Sequence, residues 1–182
     1  RSVVDEIMLN KLWPGTLKLA KAHVLAGQEV WLVTAAPDEL ARVLAERLQL
    51  TGGVGTVANI VDGHYTGGLV GAPLHGIAKA HAVERIAQER GLDLSACTAY
   101  SDSANDLPLL TVVGNSVAVN PDPRLRFEAR RRGWLIVEYR RRRFWHGQQV
   151  PANPTVAVGA GLAAGLAEAR SEEHTSELQS RE

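Results

Sequence analysis

Two hydrophobic periods alternate along this chain. Largely apolar runs without polar alternation stand at Val30-Trp31-Leu32-Val33, Ala96 to Ala99, Val117 to Asn120 and Leu135 to Tyr139. A strand that shows no polar face is buried on both sides, the usual state of strands in a parallel sheet. Between these runs, Thr16 to Ala26, Pro37 to about Leu50, Ile77 to Arg90, Asp106 to Val113 and Pro123 to Arg132 carry apolar residues at helical spacing. Gly27 and Gly91 stand where helices would stop, and Pro37 with Asp38-Glu39 where one would start. Strand and helix patterns in alternation predict an α/β fold with a doubly wound parallel sheet.

Three stretches break the rhythm. Thr51 to Gly76 is rich in glycine, and its β-type runs, Val57 to Val61 and Tyr65 to Val70, flank Asp62-Gly63. That pattern predicts a β-hairpin flap over about residues 54–75. Arg1 to Leu12 is amphipathic in a helical register and is cut off by Pro14-Gly15. After Tyr139 come Arg140 to Arg143, Phe144-Trp145, a link with Pro151 and Pro154, and the small-residue apolar segment Thr155 to Ala167. That segment is too short to cross a bilayer, yet a basic cluster ahead of an apolar segment suits a membrane-surface anchor. A small-residue helix packed on its own domain, or a disordered tail, is the plainer alternative. The last stretch, from Arg170 onward, resembles the conceptual translation of a sequencing adapter and is set aside from fold reasoning.

Composition changes this picture little. The chain has 182 residues, 45% hydrophobic and 22% charged, enough for one sizeable core. Its formal net charge is zero, so no nucleic acid is expected as a partner, although nine arginines cluster between Arg124 and Arg143. A solvated basic face is the simplest account of that cluster. The single cysteine, Cys97, excludes an internal disulfide and a cysteine-based zinc cluster, and fits a reducing cytoplasm. The six histidines show no zinc-ligand spacing. Arg1 reads as a point of truncation.

The candidate chemistry lies at the ends of the apolar runs. Tyr100-Ser101-Asp102-Ser103-Ala104-Asn105-Asp106 sets two carboxylates four apart at a strand exit, which suits a hard cation such as Mg²⁺. Thr34 follows Val33, and Lys79 stands in Gly76-Ile77-Ala78-Lys79. A hydroxyl, an ammonium and a carboxylate-bound Mg²⁺ around one point would clamp a phosphoryl group and offset the charge that develops as it transfers. Each has a bland alternative: Thr34 or Asp106 as a helix cap, Lys79 as a solvated lysine.

With these residues in this order, the chain resembles the haloacid dehalogenase (HAD) superfamily hydrolases, and among them the phosphoserine phosphatase-like subfamily IB. The similarity runs from Trp13 to Tyr139 and rests on Val30-Trp-Leu-Val-Thr34-Ala-Ala-Pro, His75-Gly-Ile-Ala-Lys79-Ala-His and Tyr100-Ser-Asp-Ser-Ala-Asn-Asp106-Leu. Asp62-Gly63-His64-Tyr65-Thr66-Gly67 is similar to that group's flap hairpin, and Val117-Ala-Val-Asn-Pro-Asp122 to its following strand and loop. The resemblance implies a Mg²⁺-dependent phosphomonoesterase acting on a small phosphorylated metabolite through an aspartyl-phosphate. Thr34, with Ala35 and Asn105 beside it, would bind the phosphoryl group; Lys79 would neutralise it; Asp102 would ligate Mg²⁺; Asp106 would support Lys79 and metal-bound water. Ser101 stands where the family's motif usually begins with glycine.

One departure is larger. The family's Asp-x-Asp-x-Thr motif, which supplies the nucleophile, occurs nowhere in Arg1 to Thr34. The resemblance therefore implies that the first strand and most of the helical cap are missing, with residues 1–12 a cap remnant, 13–143 the core, 144–169 the tail and 170–182 the adapter-derived end. Such a fragment is expected to be inactive. The alternatives are a non-catalytic HAD-fold binding or regulatory module, peripheral at the membrane through Arg140 to Arg143 and the apolar tail, and the phosphatase half of a fusion with a phospholipid acyltransferase.

Overall fold

The computed structural model describes Leu12, residues 14–139 and the strand Ala157–Gly159. Helix α1 (Pro14–Leu25) leads into strand β1 (Val30–Pro37), helix α2 (Asp38–Arg47) and strand β2 (Gly52–Thr56). A hairpin of β3 (Ala58–Val61) and β4 (His64–Leu69) follows, then α3 (Ile77–Arg90), β5 (Thr98–Ser101), α4 (Leu107–Val112), β6 (Asn115–Val119), α5 (Pro123–Arg132), β7 (Leu135–Val137) and β8 (Ala157–Gly159). Six of these strands form one sheet in the order β2-β1-β8-β5-β6-β7, and every neighbouring pair is parallel.

Each face of the sheet is covered, which is why its strands read as unbroken apolar runs. Val33, Ala99 and Ala118 point into a cluster with Ala82, Val83 and Ile86 of α3, Leu109 and Leu110 of α4, and Leu125 and Ala129 of α5. On the other face Tyr100, Val117, Val119 and Val137 meet Leu19, Ala20 and Val24 of α1, while Leu32 packs with Leu12 and with Leu44 of α2. Leu32, Leu109, Leu110 and Leu125 are almost fully buried, each contributing about 2 kcal/mol of transfer free energy. The doubly wound α/β reading holds.

The flap is narrower than the sequence pattern implies. Its strands are Ala58–Val61 and His64–Leu69, turned by Asp62 (φ 49°) and Gly63 (φ 77°), the two left-handed residues of a type I′ turn. Val54 to Thr56 belong instead to β2, paired with β1 in the main sheet. The glycines there answer a packing demand. A Cβ on Gly53 would sit 2.2 Å from the Ala41 carbonyl oxygen, and one on Gly55 would sit 2.5 Å from that of Ala36, so β2 lies too close to α2 and the end of β1 for side chains.

The strand between β1 and β5 comes from beyond the basic segment. Leu32, Gly159 and Tyr100 stand level across three lanes. The sequence pattern places Ala157 to Gly159 in an apolar tail that packs as a small-residue helix or meets a membrane; the described part of that tail is instead a strand at the sheet centre, because its backbone pairs with both β1 and β5. Arg1 to Lys11, Trp13, Arg140 to Val156 and Ala160 to Glu182, which take in the predicted cap remnant apart from Leu12 and the Arg140 to Arg143 cluster, lie outside the described residues. Among the described residues no helix is long and apolar enough to cross a membrane.

Beneath β5 lies a buried polar chain. The His23 Nε2 stands 2.6 Å from the Tyr100 hydroxyl, and His23 Nδ1 meets the Gln28 side-chain oxygen. Both bonds are satisfied by a neutral ring that donates from Nδ1 and accepts the Tyr100 proton at Nε2. Burial holds the imidazole below its usual 6.5, partly countered by Gln28, and burial holds the Tyr100 hydroxyl well above the ordinary tyrosine range. The unfolded chain therefore binds a proton at His23 that the folded chain refuses. This group's contribution is complete above pH 6.5 and is lost as the pH falls from there toward the folded value. Asp102, pushed up to about 6, contributes in the opposite sense as it takes up its proton, so His23 is read as a difference. Between about pH 7.5 and 5.5 the parent chain should lose stability relative to His23→Gln, at up to roughly 1.4 kcal/mol per pH unit in denaturation experiments. Parallel pH profiles for the two chains would remove His23 as a source.

Candidate active site

The carboxyl edge of a parallel sheet collects whatever its strands deliver. Thr34 and Asp102 each lie two residues beyond the level line through Leu32 and Tyr100. They face the same edge two lanes apart, roughly 10 Å by ordinary strand spacing. Thr34 is buried, and its hydroxyl oxygen accepts the Ala36 N–H at 3.2 Å, leaving its proton free to donate. The β1–β2 register shifts between Val33 and Pro37, so the backbone from Thr34 to Ala36 leaves the regular ladder. Ala35 is exposed there, and its carbonyl accepts the Thr56 hydroxyl at 2.9 Å.

Lys79 lies in the first turn of α3, whose cap residue is Gly76 at φ 54°. A Cβ on Gly76 would come within 3.8 Å of the Asn105 carbonyl oxygen, so the start of α3 abuts the loop after β5. Across that contact Lys79 Nζ donates to Asp106 Oδ1 at 2.8 Å, with the two side chains 8% and 4% exposed. The other Asp106 oxygen, Oδ2, accepts the Ser101 hydroxyl at 2.8 Å. Asp106 is therefore spent on Lys79 and Ser101, and is not an ordinary helix cap: its side chain makes no capping bond to α4.

Asp102 is half-buried. Burial and the nearby Asp106 and Asp122 carboxylates push it up to about 6, opposed by its own backbone N–H and by Lys79. It is the acid in this loop most in need of a cation. Among the described residues no group of three or more His, Cys, Asp or Glu could enclose a metal ion. One carboxylate at a strand end is nevertheless compatible with Mg²⁺, which keeps several waters and takes one or two carboxylates besides substrate oxygens. Asn105 is exposed on the same turn.

The structure thus brings Lys79 and Asp106 into contact, sets Asp102 in electrostatic reach of both, and leaves Thr34 across the central lane. Three further residues support the site in ways the sequence pattern does not assign. Ser101 braces Asp106; Thr56 ties the Ala35 carbonyl to the Leu74 N–H, which its hydroxyl oxygen accepts at 3.0 Å; Asp122 holds the Ala104 N–H at 2.7 Å. Of these only Asp122 carries a local signal, an Asp-Pro pair ahead of a helix.

The haloacid dehalogenase-like hydrolase family matches residues 1–111, a span that includes Thr34, Lys79, Asp102 and Asp106. The chain belongs to that family. It is 52% identical over 168 residues to the phosphoserine phosphatase SerB1 of Mycobacterium tuberculosis, covering 92% of this chain and 54% of that one. It thus spans about half the length of the curated relatives it matches. Among solved structures, a protein of unknown function from Bordetella pertussis aligns with a TM-score of 0.68 and 30% identity, over 74% of this chain and 62% of the other. A phospho-aspartyl intermediate analogue of phosphoserine phosphatase aligns with a TM-score of 0.55 and 26% identity, over 66% and 56%.

The ion pair gives a direct test. Lys79→Met leaves the Asp106 carboxylate buried without its cation, and urea denaturation should show a loss of about 3–5 kcal/mol. Adding Asp106→Asn to Lys79→Met should recover part of that loss, because the amide still accepts the Ser101 proton. A double variant no more stable than the single one would contradict the pairing.

Proposed function

We propose that this chain carries the phosphoryl-binding and metal-binding half of a Mg²⁺-dependent phosphomonoesterase of the phosphoserine phosphatase-like group. The observation that carries this reading is the buried Lys79–Asp106 pair beside Asp102, on the sheet edge that also presents Thr34. Bound at Asp102, Mg²⁺ would supply charge neutralisation at the transferring phosphoryl oxygens. Lys79, held by Asp106 and indirectly by Ser101, presents its ammonium without reorganisation as negative charge grows. Thr34 donates its free hydroxyl proton to a phosphoryl oxygen, and the bulge at Ala35 lets a phosphate approach the backbone. Asn105 stands at the rim and is assigned to the substrate side.

The reaction in this reading passes the phosphoryl group from the substrate ester oxygen to an aspartate carboxylate, and water then releases inorganic phosphate. That aspartate is not among the residues described at the edge. The lane between Thr34 and Asp102 is held by Ala157, Val158 and Gly159, none of which bears a nucleophile or an acid. We assign the nucleophile to a strand of a longer protein, of the length its relatives have, and that strand would take this lane. The chain on its own is then inactive. The relative solved as a phospho-aspartyl analogue supports the covalent route. Phosphoserine is one substrate among small phosphorylated metabolites, because the cap that would choose between them is not described.

The test is an assay of the longer protein, with the sequence upstream of Arg1 restored, on p-nitrophenyl phosphate and phosphoserine with and without Mg²⁺. Turnover should require the metal, and Asp102→Asn should lower kcat/KM by about 100-fold or more. Full turnover in chelator, or indifference to Asp102→Asn, would overturn the reading. An upstream segment without paired aspartates would leave a non-catalytic module as the better account.

A further inference from the structure

We infer that Asp122 is a positioning residue for the Asp102 loop, clamping that loop to the front of α5 so that the Asp102 carboxylate is held where a cation can use it. The inference rests on the metal-binding reading above and names the side chain that would fix its geometry. Asp122 is the N-cap of α5, and its two carboxylate oxygens serve two different elements. Oδ1 accepts the Leu125 N–H at 2.7 Å, closing the first turn of the helix, while Oδ2 accepts the Ala104 N–H at 2.7 Å, eighteen residues earlier. The Asp122 backbone N–H donates to the Asp102 carbonyl at 2.8 Å. Two of these three bonds therefore bracket Asp102, one at its own carbonyl and one two residues on, while the third ties Asp122 to α5.

The clamp is anchored at its far side as well. Asn120, in the left-handed region at φ 45°, donates its N–H to the Val137 carbonyl, and its side-chain oxygen accepts the Tyr139 N–H at 2.8 Å. Pro123 fixes the backbone after Asp122 at the first helical position. The turn from β6 into α5 is thus tied to β7, and Asp122 carries that rigidity to the Asp102 loop. An aspartate suits this place better than asparagine, because both oxygens face N–H donors and an amide would turn its own NH₂ against one of them. An ordinary cap residue would satisfy Leu125 alone.

The experiment separates the two halves of the clamp in the 182-residue chain. Asp122→Ser keeps a capping oxygen for Leu125 but cannot reach Ala104; Asp122→Asn removes the charge and keeps one acceptor. Amide hydrogen exchange should show Ala104 protected in the parent chain and opened by about tenfold or more in Asp122→Ser, with Leu125 still protected. Paramagnetic broadening by Mn²⁺ alone, competed with Mg²⁺, reads cation binding at the Asp102 loop without any assay of turnover. Loss of the positioning bond is expected to weaken Mn²⁺ binding by about tenfold in Asp122→Ser. Unchanged Ala104 exchange, or equal Mn²⁺ binding in the parent chain and Asp122→Ser, would overturn the inference while leaving the metal reading standing. Equal weakening by Asn and Ser with Ala104 still protected would also overturn it, by reducing Asp122 to a distant charge. No broadening at Asp102 even in the parent chain would instead sink the metal reading, and the role of Asp122 with it.

Discussion

Lys79 and Asp106 reach each other from segments that follow different strands, and both are almost wholly withdrawn from water. Removing an ammonium and a carboxylate from water costs several kcal/mol each, and their attraction repays this only when the geometry is close and the remaining oxygens are bonded. Here that condition is met: one Asp106 oxygen takes Lys79 and the other takes Ser101. The pair adds little as a stabiliser compared with apolar residues of the same size. What it imposes is a position, because α3 and the Asp102 loop cannot shift against each other without leaving a buried charge alone. Any reading of the edge as a phosphoryl site depends on that constraint.

Around the ion pair, the loops at the sheet edge are held by side chains acting on backbone groups. Thr56 joins the bulge at Ala35 to the Leu74 segment that leads to α3, and Asp38 accepts the Gly55 N–H at 2.9 Å, drawing the end of β2 onto α2. These bonds satisfy backbone groups that irregular structure would otherwise leave unpaired in a half-buried place. The arrangement explains how an edge made mostly of loops can present fixed groups. Rigidity comes from the strands' exits being stitched to neighbouring elements, not from the loops themselves.

Much of this was legible in the sequence, for reasons that differ by residue. Ile77–Arg90 and Pro123–Arg132 appear with the bounds their glycine and proline signals imply, because those signals act locally. Thr34, Lys79 and Asp102 stood out because each sits beside a buried element in a recognisable order. β2 was illegible for the opposite reason: Gly52, Gly53 and Gly55 are required by the nearness of Trp31, Ala41 and Ala36, a tertiary fact, whereas locally they read as loop. Ser101 stands in the sequence only as a departure from the family's usual glycine. Its hydroxyl is fully buried on Asp106, a partner that spacing alone does not choose.

The centre of the sheet is where local pattern says least. A lane between β1 and β5 must be filled, since two parallel strands with unpaired N–H and C=O groups facing each other cannot stay buried. Ala157 to Gly159 fill it with small residues, in register with Leu32 and Tyr100, and so complete the ladder without adding a functional group. Pairing in a lane is a backbone property, indifferent to which apolar strand supplies it; chemistry at the lane's end is a side-chain property and is not. A strand ending in a carboxylate could therefore satisfy the same ladder and also stand between Thr34 and Asp102. That separation makes a ladder filled by Ala157 to Gly159 compatible with the proposal that another strand supplies the nucleophile.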